Sequence, residues 1–246
     1  MRFSVIIPNY NSEEYIEKCL NSVLNQTFKD FEIIVVDDIS SDNSVSKIKS
    51  LLRKQDKLII NKTKRLNGGT RNVGILEAKG DYIICLDCDD WITNENIFQE
   101  INDNLKDEDI MFLGYQVLFS DRTVDQIPEY NNLIEAFQDV TCAPWTKVVK
   151  TQLMKETLFP EGTLYEDRPQ HYRLILKAKT YSNFKKITHI WNRLNTHSAS
   201  VGELYDTYHF NFMGDTYRIM REVGEPYKSI LREKLRQEKE FIDSML

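Results

Sequence analysis

An α/β fold, with a mostly parallel central sheet flanked by helices, is what the sequence predicts, and three observations predict it. Apolar runs alternate with helical patterns through about the first 90 residues, the rhythm of strand–helix–strand units. The runs FSVII, FEIIVV and YIICL are almost continuously apolar, as in strands covered on both faces rather than one. Each run ends on a polar cluster: Pro8-Asn9-Tyr10-Asn11, Asp37-Asp38 and Asp87-Cys88-Asp89-Asp90.

The elements follow in order. Phe3 to Ile7 reads as a strand ended by Pro8, followed by a helix with its apolar face on Ile16, Leu20, Val23 and Leu24. Asn11 or Ser12 is placed to cap that helix, with Glu14 near its first turn. Phe31 to Val36 is a second strand, Ser44 to Leu52 a helix, and Lys57 to Ile60 a third strand. Gly68-Gly69 opens a helix with an apolar face of Val73, Leu76 and Ala78, and Gly80-Asp81 turns into the strand Ile83 to Leu86.

From about Glu95 the alternation breaks down. Asp109 to Phe119 reads as a long strand and DRTVDQIPEYNN as a turn and loop. The segment Thr141 to Lys147 precedes a short helix, and Tyr181 to Leu194 holds two strands. Pro169 suits a first helical turn, which sets Asp167 at or beside the N-cap of a helix through Tyr172, Ile175 and Leu176. There the helix dipole favours an ionised carboxylate.

The chain has 246 residues, a net charge of −6 and 41% hydrophobic residues, which suits one domain with a small extension. No apolar run reaches the ~20 residues of a membrane span, and the opening MRFSVIIPNYN turns polar too early for a signal peptide. The acidic balance argues against general nucleic-acid binding. Cys19, Cys85, Cys88 and Cys142 lack zinc spacing and read as reduced thiols of a cytoplasmic protein.

Three carboxylates in four residues, Asp87 to Asp90, directly follow an apolar strand. Like charges so close repel, and a divalent cation with hard oxygen ligands turns that repulsion into binding energy. An Asp pair after a strand, such as Asp37-Asp38, is often only a turn, but a turn needs one Asp rather than three. Ligands of wound sheets bind beyond the carboxyl ends of the strands, so the three clusters converge on a nucleotide-sized pocket with a metal at its rim. RLNGGTRNVG matches neither GxxxxGKS/T nor GxGxxG. Arg71 in it contacts a phosphate or lies at the surface. Trp145 either stacks on a sugar or packs under its loop, while Trp91 and Trp191 read as structural.

Taken in order, SVIIPNYN, VVDD, NGGTRNVGILEAKGDYIICLDCDD, WTKVV, FPEGTLYED and RLNTHSAS resemble glycosyltransferase family 2, the nucleotide-sugar transferases of the GT-A fold. The likeness runs from about Phe3 to Val201. It implies a catalytic domain over residues 1–201, with a nucleotide half (1–94), an acceptor half (95–201) and a helical extension (202–246). Pro8 and Tyr10 would line the base pocket and Asp38 would bond the base, uracil by its N3–H donor. Asp87 would reach the ribose or diphosphate, and Asp89, or Asp90, would ligate Mn²⁺ or Mg²⁺. Asp167 would be the catalytic base, with Glu166 beside it on the acceptor side together with Trp145. Arg193 and Ser198 would hold the diphosphate, and His197 would be a second metal ligand.

The resemblance implies an inverting transferase that moves a sugar, from a UDP-sugar, to a glycan or lipid-linked glycan in bacterial-type surface-polymer synthesis. Competing readings are a nucleotidyltransferase, whose glycine-rich N-terminal loop is absent here, and a binding module without turnover. A protein or nucleic-acid acceptor is also open. The tail offers an aromatic group (Tyr205, Tyr208, Phe210, Phe212) and an apolar helical stripe (Ile230, Leu231, Leu235, Phe241, Ile242, Leu246). Packing on the catalytic domain is the default for both; dimerisation or peripheral membrane contact are the alternatives.

Overall fold

The computed structural model describes residues 1–139, 141–163, 166–195, 214 and 216–245. Its elements run β1 (Phe3–Asn9), α1 (Ile16–Leu24), β2 (Phe31–Asp37), α2 (Ser44–Leu51), β3 (Lys57–Ile60), α3 (Leu66–Glu77) and β4 (Tyr82–Cys85). Then follow β5 (Trp91–Ile92), α4 (Ile97–Asn104), β6 (Ile110–Leu118), β7 (Thr123–Gln126), α5 (Leu133–Gln138) and β8 (Lys147–Lys150). The chain continues through α6 (Thr151–Glu156), α7 (Asp167–Lys177) and β9 (Tyr181–Asn192) to α8 (Tyr227–Met245).

The strands form one sheet in the order β3-β2-β1-β4-β8-β6-β9-β5, with β7 paired to β6. β3, β2, β1 and β4 are mutually parallel. β8 then runs antiparallel between β4 and β6, and β9 pairs parallel with β6. The first half is thus the wound α/β unit that the alternation predicts, and the second half mixes directions.

Successive strand residues face opposite sides, so continuous apolar runs fill two cores. Phe3, Val5 and Ile7 of β1 pack with α1, α2 and α4, while Ile6 packs on the other face with α3, α6, α7 and α8. α8 contributes Leu231 and Leu235, Tyr227 meets Phe137 with ring centroids 4.9 Å apart, and Lys234 Nζ donates to the Gln138 carbonyl at 2.8 Å. The tail helix therefore packs on the side of the sheet that carries α3, α6 and α7. The aromatic group at Tyr205–Phe212 lies outside the described residues.

Several local expectations need correction. Pro8 does not end β1, because its missing N–H is tolerated within the strand's register opposite Val36. Neither Asn11 nor Ser12 caps α1, whose first turn has no side-chain cap. On α3 the outward residue is Leu76, 56% exposed, and the inner face runs Gly68 to Asn72, then Gly74 and Ile75. A Cβ on Gly74 would lie 2.8 Å from Ile6 Cγ2, so small residues rather than large apolar ones let this helix sit on the sheet. DRTVDQ is no plain loop but a hairpin partner of β6. Tyr181 to Asn192 is one strand, with register shifts opposite Leu113 to Tyr115 rather than a break. No described helix is long and apolar enough to cross a membrane.

Candidate active site

The carboxyl ends of β1, β2 and β4 open on a cavity of about 880 Å³ lined by Pro8, Tyr10, Asn67, Asp87, Asp89 and Asn195, among others. Its floor is rigid for local reasons. Asn9 at the end of β1 donates through Nδ2 to Asp37 Oδ2 at 2.7 Å and Ser44 Oγ at 3.1 Å, tying β1, β2 and α2 together. Tyr10 stands 46% exposed at the mouth, with Lys64 Nζ 3.1 Å from its ring centroid.

Asp38 does not line this cavity. It is 3% exposed, and its oxygens accept from Asn61 Nδ2 (2.8 Å) and from the backbone N–H groups of Arg65 (2.8 Å) and Leu66 (3.0 Å). A carboxylate at the start of α3 satisfies orphan helix donors and the dipole. That structural duty is what its neighbours show.

The three aspartates after β4 diverge. Asp87 turns to Arg71, its Oδ1 2.6 Å from Nη2. Asp89 faces the cavity and accepts from Asn195 Nδ2 at 2.8 Å; burial and then the Asp87 charge push its carboxyl up. Asp90 is 1% exposed and accepts the Asn192 N–H at 2.8 Å, so it pins the end of β9, while its Oδ2 is buried without a partner. Burial, followed by Asp89 and Asp87, holds the Asp90 carboxyl well above the usual range.

Arg71 is not at the surface, and its guanidinium is turned to carboxylates. It is 2% exposed, and besides Asp87 it meets Glu166 Oε1 at 2.8 Å and Asp167 Oδ1 at 3.3 Å through Nη1. One guanidinium thus joins the donor cavity to the segment before α7. Glu166 is 5% exposed and accepts from Arg71. Asp167 starts α7, after Glu166 at the cap position with no side-chain cap bond. Its carboxyl is raised to about 7, by burial first and Glu166 second, against Arg71. Burial and like charge outweigh the helix dipole that had favoured a fully ionised group.

Gly68 makes this approach available. A Cβ there would lie 2.6 Å from Glu166 Cγ and 2.9 Å from the Pro160 carbonyl oxygen. Gly68→Ala is expected to cost ~1–3 kcal/mol in denaturant unfolding and to slow turnover by displacing Glu166 from Arg71. A variant with unchanged midpoint and rate would show that the 159–166 segment yields freely.

Trp145 does not present a face for a sugar. It is 4% exposed, enclosed by Tyr115, His189 and Trp191 at centroid distances of 4.9, 4.6 and 5.6 Å. Arg193 lies over Trp191, 4.9 Å from its centroid, and is not part of the cavity lining. His197 and Ser198 lie outside the described residues. Asn195, which holds Asp89, escaped sequence reading because a lone loop Asn carries no spacing signal.

The chemistry assembled here is a nucleotide-sized cavity edged by hard oxygens, with a carboxyl raised to about 7 across the Arg71 bridge. The family model for glycosyl transferase family 2 matches residues 4–177, from β1 through α7. The chain belongs to that family.

Other likenesses agree. A poly(ribitol-phosphate) beta-glucosyltransferase of Bacillus spizizenii is 33% identical over 195 residues, 74% of this chain and 31% of that one. The Escherichia coli UDP-Glc:alpha-D-GlcNAc-diphosphoundecaprenol beta-1,3-glucosyltransferase WfgD is 34% identical over 139 residues, 54% of each chain. This family 2 chain thus spans less than two thirds of the length of either relative. The crystal structure of Staphylococcus aureus TarS 1-349 in complex with UDP-GlcNAc superposes with a TM-score of 0.81 at 26% identity, over 95% of this chain and 71% of that one. The family match spans Asp87 to Asp90, Arg71, Glu166 and Asp167, so the Arg71-centred cluster falls wholly within the family 2 region.

Proposed function

We propose that this chain transfers a sugar, with inversion, from a UDP-sugar to a hydroxyl of a glycan or lipid-linked glycan acceptor in bacterial surface-polymer synthesis. The observation that carries this reading is the Arg71 bridge, which sets Asp167 next to a cavity edged by Asp87 and Asp89. Ionised Asp167 accepts the proton of the acceptor hydroxyl as that oxygen bonds to C1 of the sugar, and the bond from C1 to the diphosphate breaks on the opposite face. A carboxyl poised near 7 suits a base working at neutral pH.

Asp87 and Asp89 are the residues that would hold Mn²⁺ or Mg²⁺. Among the described residues no group of three or more His, Cys, Asp or Glu is arranged for a metal. Magnesium-type sites need fewer, because one or two carboxylates share the ion with substrate phosphates. The fit rests on Asp89: its carboxyl is raised by burial and by Asp87, a repulsion that a cation relieves. When bound, the ion supplies positive charge against the departing diphosphate.

The test is a screen of nucleotide sugars with Mn²⁺, reading released nucleoside diphosphate. UDP-sugars should be turned over; release from none of them, with acceptors present, would favour a binding module. Asp89→Asn should weaken Mn²⁺-dependent UDP binding at least tenfold in calorimetry while the melting temperature holds, and unchanged affinity would remove Asp89 from the site.

A further inference from the structure

Asn72 follows Arg71 in the middle of α3 and is 2% exposed. Asparagine is a poor residue for a helix interior, because its amide competes with the backbone for hydrogen bonds. Burying the amide is costly as well unless it is bonded, and a leucine of similar volume would escape both costs. What the amide does here is grip a segment that has no strand to pair with. Phe159 lies between α6 and α7, in no described helix or strand. Asn72 Nδ2 donates to the Phe159 carbonyl at 2.9 Å, and Asn72 Oδ1 accepts the Phe159 N–H at 2.9 Å, across 87 residues of chain. Nδ2 also reaches Glu161 Oε1 at 3.4 Å. One side chain thus meets both main-chain groups of Phe159, as a neighbouring strand would. Aspartate could accept but not donate there, and leucine could do neither.

The gripped residue lies against the guanidinium. Phe159 is 3% exposed, and Arg71 Cζ stands over its ring, 5.5 Å from the centroid, within cation–π range. Arg71 uses Nη1 on Glu166 and Asp167 and Nη2 on Asp87. Its Nε is buried with no hydrogen-bond partner among the described residues. No hydrogen bond therefore fixes the guanidinium on its Nε side, and the Phe159 ring is the surface it rests on. The segment also sits close on α3, since a Cβ on Gly68 would lie 3.1 Å from Phe159 Cβ.

We propose that Asn72 is a positioning residue for the base: through Phe159 it sets the plane of the Arg71 guanidinium, and with it the separation between Asp87 at the donor cavity and Asp167. The contacts run from the Asn72 amide to the Phe159 backbone, from the Phe159 ring to Arg71, and from Arg71 to the carboxylates. Asn72 is not part of the cavity lining and acts only through these neighbours.

The proposal rests on the transferase reading, and steady-state kinetics with Mn²⁺ and the UDP-sugar turned over in the donor screen test it, with rates expressed per folded molecule. Asn72→Leu leaves the Phe159 N–H and carbonyl unpaired and frees the ring. Its kcat should fall roughly 10–100-fold, the loss that a shift of about 1 Å between reacting groups produces. The KM for donor should stay within about twofold, because the change falls on the chemical step and not on ground-state binding. Phe159→Leu keeps the backbone bonds to Asn72 and removes the ring, and it should show the same split. Both substitutions act on Arg71 along one chain of contacts, so the double variant should be no slower than the slower single.

A kcat for folded Asn72→Leu within about twofold of wild type would reduce Asn72 to a packing residue and overturn the proposal. Losses that multiply in the double variant would overturn it too, because Asn72 would then not act through Phe159. If Asn72→Leu does not fold, Phe159→Leu decides: a loss confined to kcat supports the proposal and an unchanged kcat overturns it. Failure of the transferase reading looks different, since the wild type itself would then release no nucleoside diphosphate.

Discussion

Asp167→Asn should lower turnover by roughly 10²–10⁴-fold and leave donor binding intact. Asn can still accept a hydrogen bond from Arg71, so the Arg71 bridge to the segment before α7 survives, but it cannot take a proton from an acceptor hydroxyl. Asp167 is the first residue of α7, and the cap position before it belongs to Glu166. Stability should move the other way. The folded carboxyl sits at about 7 against an ordinary 3.8, so the fold pays for its ionisation increasingly as pH rises above ~4, and in full above 7. The variant should therefore melt at or above the wild-type temperature at pH 8, with no such advantage at pH 4. Initial rates and thermal melts at the two pH values check both halves. Turnover within a few-fold of wild type would remove Asp167 from the mechanism.

Arg71→Met is expected to have the largest effect on stability. The variant leaves Asp87, Glu166 and Asp167 without their shared cation, and Glu166 has only 6% of its side chain in contact with solvent. Breaking a buried ion pair from one side costs ~3–5 kcal/mol, a large fraction of a typical domain's 5–15 kcal/mol. Because the damage is uncompensated negative charge, protonation should repair part of it. Denaturant unfolding should show the deficit at pH 8 and a visibly smaller one at pH 5. An equal deficit at both values would mean that lost packing, not charge, is what the substitution removes. Arg71→Lys should rescue little, since one ammonium cannot span three carboxylates in a fixed fork.

The wound half of the fold was legible because its signals are local. Strand runs of five or six apolar residues, and carboxylates collected at their ends, are visible without knowing what lies across the sheet. β7 was missed because TVDQ is short and polar, and it is a strand only because β6 offers an edge. β9 read as two strands because its register shifts disrupt the alternation without breaking the pairing.

In the site, Asp87 and Asp89 stand at the cavity where their clustering had placed them. The internal partners of Arg71, Glu166 and Asp38 were not legible, for one shared reason. Each has partners far along the chain, 95 residues away for Arg71 and Glu166, and a charged residue whose partner is invisible looks like a ligand contact. Trp145 shows the same limit, since its enclosure by Tyr115, His189 and Trp191 depends on strands that pair only in the fold.

Among the ties that cross residue 94 are Arg71 to Glu166 and Asp167, and Asp90 to the backbone of Asn192. They bear on how such enzymes are recombined. A chimaera of two family members joined after residue 94 severs both of these ties at once. The new halves would meet with a buried guanidinium lacking its counter-ions and a β9 end lacking its anchor. Exchange of acceptor preference is better sought in grafts that keep α3, the aspartate run, the Glu166–Asp167 step and the end of β9 from a single parent. These pieces are scattered along the sequence, yet they behave as one heritable unit.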